Sequence, residues 1–422
     1  MTEAAIRGSG APADPPGRWL QLGLISAAVL LSLSAWLTAT ALAPELSQRW
    51  TLSASQVGWL TTVVQIGFVV GTAVSALLNL ADVLPSRVYF SVSAALAAFA
   101  NALLLVVPSY EAALAGRFLT GFFLAGVYPP SMKMVATWFR ASRGLAIGAV
   151  VGALTVGKAM PYLMKAFGGP EAATVILGAS LAGVLAGLLV GVGYRDGPFS
   201  FARRPFAWSR VGRIMRHRPT MLATGGYLGH MWELYAMWSL IGLYFLDHFS
   251  DRGLWNAQLI ASLATFAVIA AGGLGAVAAG RWADKVGRPR VTIASMALSG
   301  LCALTVGWMG SSPSWLVFTV ALVWGTSIVA DSAQFSAIVT ERAPEDSVGT
   351  ALTLQTMAGF ALTAVSIQLT SAMAEHLGWG PAFSVLAIGP VCGIVAMRRL
   401  QPERANGGMT TSDPPEAFRP NP

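Results

Sequence analysis

The sequence predicts an all-α membrane protein of twelve transmembrane helices in two six-helix halves, and three observations predict it. Hydrophobic residues make up 55% of the 422 and charged residues 11%, with a mean hydropathy of +0.62, too apolar for a chain that must dress its surface for water. Twelve stretches reach the roughly 20 apolar residues needed to cross a bilayer, six on each side of a polar segment near residue 200. Features of the first six recur roughly 200 residues later: Asp82 as Asp284, Gly71 as Gly273 and Gly144 as Gly349.

In chain order the spans cover roughly residues 19–43, 56–80, 88–107, 111–137, 144–167, 172–194, 220–245, 255–280, 291–309, 314–339, 349–373 and 379–397. The first follows a polar, Pro/Gly-rich tail with no apolar core, so no cleaved signal peptide is expected and the first span directs insertion. Glycines at helical spacing, Gly67/Gly71 in span two and Gly144/Gly148/Gly152 in span five, permit close helix contact. Between the halves an Arg-rich segment with Phe199, Phe206 and Trp208 interleaved reads as an interfacial helix against membrane lipid. The division is a disordered tail 1–17, a half 18–195, a linker 196–219, a half 220–400 and a disordered tail 401–422.

An even number of spans puts both termini on one side. Loops on that side carry Arg87, Arg140, Arg143, Arg195, Arg281, Lys285, Arg288, Arg290, Arg342 and the linker arginines, whereas the opposite loops have Arg49, Lys165 and Arg252. By the positive-inside rule the termini are cytoplasmic. The net charge of +8 is then a topogenic signal toward anionic lipid, and nucleic acid is not an expected partner. Cys302 and Cys392 both fall inside spans, as packing residues.

Two nucleotide-site look-alikes are excluded by context. Gly152-Ala153-Leu154-Thr155-Val156-Gly157-Lys158-Ala159 nearly fits a phosphate-binding loop, but Ala159 lacks the Mg²⁺-binding hydroxyl and the stretch is mid-span. Gly273-Leu274-Gly275-Ala276-Val277-Ala278 mimics a dinucleotide fingerprint with no preceding strand. His217, His230, His248 and His376 are scattered without cysteine partners, so neither a metal nor another cofactor is expected. No nucleophile, base and metal can be assembled either, so the chain is read as no enzyme.

The densest charge cluster, Gly280-Arg281-Trp282-Ala283-Asp284-Lys285-Val286-Gly287-Arg288-Pro289-Arg290, resembles the cytoplasmic loop motif of the major facilitator superfamily of secondary transporters, departing at Pro289. A degraded copy, Leu78-Asn79-Leu80-Ala81-Asp82-Val83-Leu84-Pro85-Ser86-Arg87, stands in the first half with Leu78 and Pro85 in place of glycines. Arg117-Phe118-Leu119-Thr120-Gly121 is similar to the superfamily's fourth-helix motif, whose arginine is linked to coupling in proton-driven members. Within the superfamily the chain loosely resembles bacterial nitrate/nitrite or cyanate carriers, though Gly157-Lys158 and Gly349-Thr350-Ala351 replace the Gly/Asn-rich signature of nitrate porters. The resemblance implies a monomer working by alternating access, with helices one, four, seven and ten around a central cavity.

Few ionisable residues remain embedded: Arg117, Lys133 and Lys158 in the first half, His230, Glu233 and Asp331 in the second. Each charged one costs about 2.5–3.5 kcal/mol at a helix centre, so it should face a wet cavity or a partner. By rise per residue, Arg117 and Lys158 lie at one depth, roughly 9 Å below the outer surface, which suits a carboxylate or other anion. Trp36, Gln65 and Gln355 join them as substrate-binding candidates, with Trp232, Tyr235 and Trp238 able to stack on an aromatic solute. His230 and Glu233 share a helix face and form a candidate proton carrier, with Asp331 nearer the cytoplasm as a relay or cation site. Alternatively Arg117, Lys158 and Glu233 form a salt bridge that closes the outer gate. Lys133 is expected to snorkel to the interface. Asp82 and Asp284, near a helix N-terminus or an arginine such as Arg140 or Arg342, are read with Arg288 as an inner gate.

These readings converge on a secondary transporter, proton-coupled, for a small organic anion. The alternatives are a drug or metabolite efflux antiporter of the same fold, weakened by the missing Gly-Pro dipeptide of the antiporter motif in span five, and a membrane sensor that moves nothing.

Overall fold

Apolar length sets the elements. The computed structural model describes residues 14–140, 142–168, 171–199 and 206–400, and none of these forms a strand. The two tails expected to be disordered lie outside the described residues apart from 14–17. Ten helices are long and apolar enough to span a membrane. We label the twelve spans α1 (Arg18–Leu33, continued by Thr38–Ala41), α2 (Ala54–Leu77), α3 (Ser86–Leu105), α4 (Tyr110–Ala136), α5 (Arg143–Gly168), α6 (Ala172–Gly193), α7 (Arg218–Ser250), α8 (Ala257–Val286), α9 (Arg288–Val306), α10 (Ser314–Arg342), α11 (Val348–Leu377) and α12 (Trp379–Leu400). The two outside the ten are α1, whose first run is only 16 residues, and α7, whose 33 residues are diluted by polar side chains.

Consecutive spans alternate in direction, so α1 starts and α12 ends on the face that carries the linker; the opposite face is called the far face. The linker helix, Trp208–Arg216, is held to the second half: Arg213 reaches Asp346 at 2.8 Å, Arg210 also meets Asp346, and the Ala207 amide donates to Thr350 Oγ1 at 3.1 Å. Ile214 is buried, while Trp208 and Met215, two turns apart, are exposed together.

Backbone contact, permitted only by glycine, locks equivalent helices in each half. A Cβ on Gly121 of α4 would fall 2.0 Å from the Val64 carbonyl of α2, and one on Gly325 of α10 would fall 2.0 Å from the Val268 carbonyl of α8. Gly71 against Phe122 repeats as Gly275 against Thr326. Gly71 therefore corresponds to Gly275, not to Gly273 as the sequence spacing suggested. Gly273 instead meets Gly152 of α5, where each Cβ would lie 3.0–3.2 Å from the other's carbonyl. That contact belongs to the seam between halves. The register differs because α8 runs unbroken through Asp284, whereas α2 ends at Leu77 and a separate turn, Leu80–Val83, carries Asp82.

Polar ties across the seam gather at the far face. Gln258 of α8 donates to the Glu45 carboxylate at 2.7 Å, and that carboxylate also holds Lys165 of α5 at 2.9 Å. Gln368 of α11 donates to Thr62 of α2 at 3.0 Å and accepts from Ser55 at 3.2 Å.

Candidate functional site

Three spans break where they face the centre of the molecule. In α1 the Ala35 and Trp36 amides bond three residues back, to Ser32 and Leu33, instead of four, and helix resumes only at Thr38. The Ser34 hydroxyl donates to the Leu31 carbonyl at 2.6 Å, the acceptor that the Ala35 amide would use in a regular α-helix. In α4 the break falls at residues 125–127, just before Pro129 and Pro130, which have no N–H to give the preceding turn. In α10 the break is Asp331 itself, which lies between the helix Ser314–Ala330 and the helix Ser332–Arg342 and caps both. Broken helices at mid-membrane are tolerated where they line a cavity or meet a partner.

Here they surround a central cavity of about 70 Å³, walled by Trp36 of α1, Phe68 of α2, Tyr128 of α4, Lys158 of α5, Tyr235 and Trp238 of α7, and α10 and α11 opposite. Lys158 is the only lysine or arginine among the described residues that lines it. No carboxylate pairs with Lys158 among the described residues: its Nζ lies 3.8 Å from the centre of the Trp36 ring, 4.5 Å from Tyr235 and 5.4 Å from Trp238, and it donates to the Tyr235 hydroxyl. Cation–π contacts are worth up to about 2 kcal/mol each when desolvated, less than a carboxylate would offer a buried ammonium. The Nε1–H groups of Trp36 and Trp238 are buried without a hydrogen-bond acceptor among the described residues. The cavity thus presents one cation and two unused N–H donors, a set complementary to an anion.

Arg117 is not beside Lys158 in that cavity. Fully buried, it donates to the Ala35 carbonyl at 2.9 Å, to the Trp36 carbonyl, and to Asn101 Oδ1 at 2.8 Å. The two carbonyls are those released by the α1 break, so Arg117 holds the main chain of Trp36 from behind while Lys158 lies on its ring from in front.

The second half gathers the remaining charges. The His230 ring Nδ1 of α7 lies 2.8 Å from Asp331 Oδ1 at the α10 break. Glu233, one turn along α7, accepts from Trp324 Nε1 of α10 at 2.6 Å and from Ser299 Oγ of α9 at 2.9 Å. All three are at most 2% exposed, so each contact is shielded from water. Asp331 is therefore a partner of His230 in this arrangement. No bond joins Arg117, Lys158 and Glu233, so the far-face salt bridge read as their alternative role is not formed in this arrangement.

Gln65 and Gln355 are buried with neither amide atom bonded, so the helix-to-helix bond weighed as their bland role is not made. Gln65 sits one turn from Phe68, whose ring meets Phe360 of α11 at 4.5 Å. Trp232 turns away from the centre to donate to the Val385 carbonyl at 3.1 Å. On the linker face Asp82 pairs with Lys133 at 3.0 Å, which is where that lysine goes instead of snorkelling. The Asp284 carboxylate stands 3.7 Å from where a Cβ of Gly144 would be, at the first turn of α5, a favourable end of a helix for a negative charge. Arg288 bridges Glu341 at 2.7 Å and Gln334 at 2.8 Å across to α10. Arg140 lies over the Phe199 ring, and Arg342 is exposed.

Four partners escaped the sequence reading: Asn101, Ser299, Trp324, and Glu45 with its lysine. Asn101 alone carried a signal, as an amide in the middle of an otherwise apolar third span.

Comparison with known proteins agrees with this architecture. The profile described as the Major Facilitator Superfamily matches residues 24–269 and 223–419. No curated protein matches the sequence. Among solved structures, a bacterial homologue of the human lysosomal transporter Spinster, inward-facing and unoccupied, superposes with a TM-score of 0.65 at 14% identity, over 92% of this chain and 96% of that one. A mutant of the nucleoside transporter NupG gives a TM-score of 0.67 at 14% identity, over 91% of this chain and 99% of that one. At such identity the likeness is one of fold.

Proposed function

The chain belongs to the Major Facilitator Superfamily, and from that premise we propose that it is a proton-coupled secondary transporter of a small organic anion, working by alternating access. The observation that carries the reading is Lys158: a central, buried ammonium held by aromatic rings rather than by a carboxylate, with two indole N–H donors beside it that lack acceptors. An incoming carboxylate would draw the ammonium off the Trp36 ring and take the N–H groups as well. At about 70 Å³ the cavity is below the roughly 300 Å³ of ordinary small-molecule sites, so the halves must part to admit a solute.

The proton reading rests on α7. Glu233 accepts two hydrogen bonds as a carboxylate, from α9 and α10; a protonated Glu233 would turn one acceptor oxygen into a donor and weaken both ties. His230 and Asp331 form a second tie from α7 to α10, and this one needs a proton between Nδ1 and the carboxylate oxygen. Protonation would thereby shift α7 against its neighbours, which is what coupling requires of a proton site. By the arginine distribution the linker face is the cytoplasmic one, and Asp82, Asp284, Arg288, Arg140 and Arg342 are read as its gate, with Gln65 and Gln355 as polar groups that the moving helices present to solute.

The test is the pH response inside liposomes holding the purified protein, challenged with small carboxylates, inorganic anions and organic cations. A carboxylate should acidify the lumen in wild type, and Glu233→Gln should abolish this while leaving solute exchange. A response to cations alone would overturn the anion reading; unchanged uphill uptake in Glu233→Gln would remove its proton role.

A further inference from the structure

A second and larger cavity opens at the far face, and nothing in the transport reading uses it. Its volume is about 290 Å³, at the lower edge of the roughly 300–1,000 Å³ typical of small-molecule sites. It lies across the seam, between the far ends of α1 and α2 on one side and of α7 and α11 on the other, with Trp379 of α12 at its rim.

Its chemistry is the reverse of the central cavity's. Two carboxylates line it, Asp247 of α7 and Glu375 of α11, and no lysine, arginine or histidine among the described residues does. Lys165, beside the neighbouring cleft, is committed to Glu45 and to the Ala41 carbonyl at 2.8 Å. Asp247 accepts from Trp379 Nε1 at 3.0 Å through one oxygen, which leaves its other oxygen for a further partner. The Trp379 ring beside it offers a face of the kind that attracts a cation.

A separate observation also points to a ligand. Ser371 is among the residues lining this cavity and is 1% exposed, and its hydroxyl has no hydrogen-bond partner among the described residues. It faces Gly58 of α2, where a Cβ would come within 3.0 Å of it, so only the missing side chain at 58 leaves the hydroxyl room. A buried hydroxyl without a partner costs about 1–3 kcal/mol, which a bound polar group would recover.

We propose that the far cavity is a second solute site, which takes an alkylammonium group on Asp247 and Glu375, with Ser371 and Trp379 completing the contact. Joined to the reading of Lys158 as a carboxylate site, on which this one step rests, the transported solute is a zwitterion that carries both an ammonium and a carboxylate. It meets the acidic far cavity by its cationic end and the central lysine by its anionic end. A plain dianion is disfavoured at the far face by the same two carboxylates.

Isothermal titration of the purified full chain with tetramethylammonium, methylammonium and butyrate separates the two readings. Tetramethylammonium should bind wild type and weaken at least tenfold in Asp247→Asn with Glu375→Gln, while butyrate affinity stays the same. Ser371→Ala, a smaller change that keeps both carboxylates, should weaken methylammonium, whose N–H groups can donate to the hydroxyl, and leave tetramethylammonium unaffected, at a melting temperature unchanged or raised. Tetramethylammonium binding that is absent in wild type, or equal in wild type and the double variant, overturns the far site. Butyrate binding that survives Lys158→Met, with the tetramethylammonium result intact, overturns the central anion reading and leaves the far site standing.

Discussion

Trp36 is held by two cations from opposite sides, and the contrast between them explains what each does. Arg117 has three fixed acceptors, two of them main-chain carbonyls, so its charge is consumed in holding the α1 break. Lys158 has rings and one hydroxyl, so its charge is still available. Lys158→Met should therefore abolish carboxylate-driven proton movement in liposomes, a loss of at least 100-fold, with Tm unchanged or raised, because an ammonium with no carboxylate is removed from the interior. Arg117→Lys should do the opposite: an ammonium cannot reproduce the forked geometry, two charge-assisted bonds are lost, and stability falls by about 3 kcal/mol, read as a drop in Tm with every solute affected alike. Rise per residue assigns Arg117 and Lys158 a depth along their own helices but not the carbonyls that the α1 break at Ser34 would offer, so the sequence reading paired two bases that the fold separates.

At the scale of elements, glycine does two distinct jobs that the sequence could not tell apart. Gly121 and Gly325 hold α4 to α2 and α10 to α8 inside each half, whereas Gly152 and Gly273 meet across the seam between halves. Gly121→Val should push a side chain into the Val64 carbonyl, cost about 1–3 kcal/mol through overpacking and lower the yield of folded protein. Gly152→Val meets its neighbour less tightly, on a surface that parts in the proposed transport cycle, so folded yield and Tm should hold while solute uptake in liposomes falls several-fold. Uptake and Tm falling together in both variants would erase the distinction. The span boundaries themselves were legible, since apolar length is a composition signal, and the α4 break was written in Pro129-Pro130. The α10 break was not: Asp331 reads as one polar residue in an apolar run until its partner His230, about 100 residues away, is in place.

The whole molecule is two repeats joined by a seam whose polar ties are unequally distributed. Gln258 with Glu45, and Gln368 with Thr62 and Ser55, cross it at the far face, while at the linker face Asp82, Arg288 and the linker helix make their bonds within one half. The internal repeat was visible in the sequence as recurring motifs, but the seam was not, since these contacts join residues 213 to 313 positions apart that carry no shared pattern. If alternating access is the working principle, these far-face ties set the resting preference of the molecule. Gln258→Ala combined with Gln368→Ala removes these three far-face bonds and leaves the Lys165 pair intact. At about 1 kcal/mol per bond the ratio of far-open to far-closed molecules should rise roughly 100-fold. A cysteine at Leu240, buried in the wall of the far cavity, reports the change when a membrane-impermeant maleimide is applied from the far face: labelling of Leu240→Cys should speed up in the double variant and slow again when a solute that closes the cavity is bound. Equal labelling with and without the ties would mean that helix packing along α5 and α8, rather than these side chains, holds the far face shut.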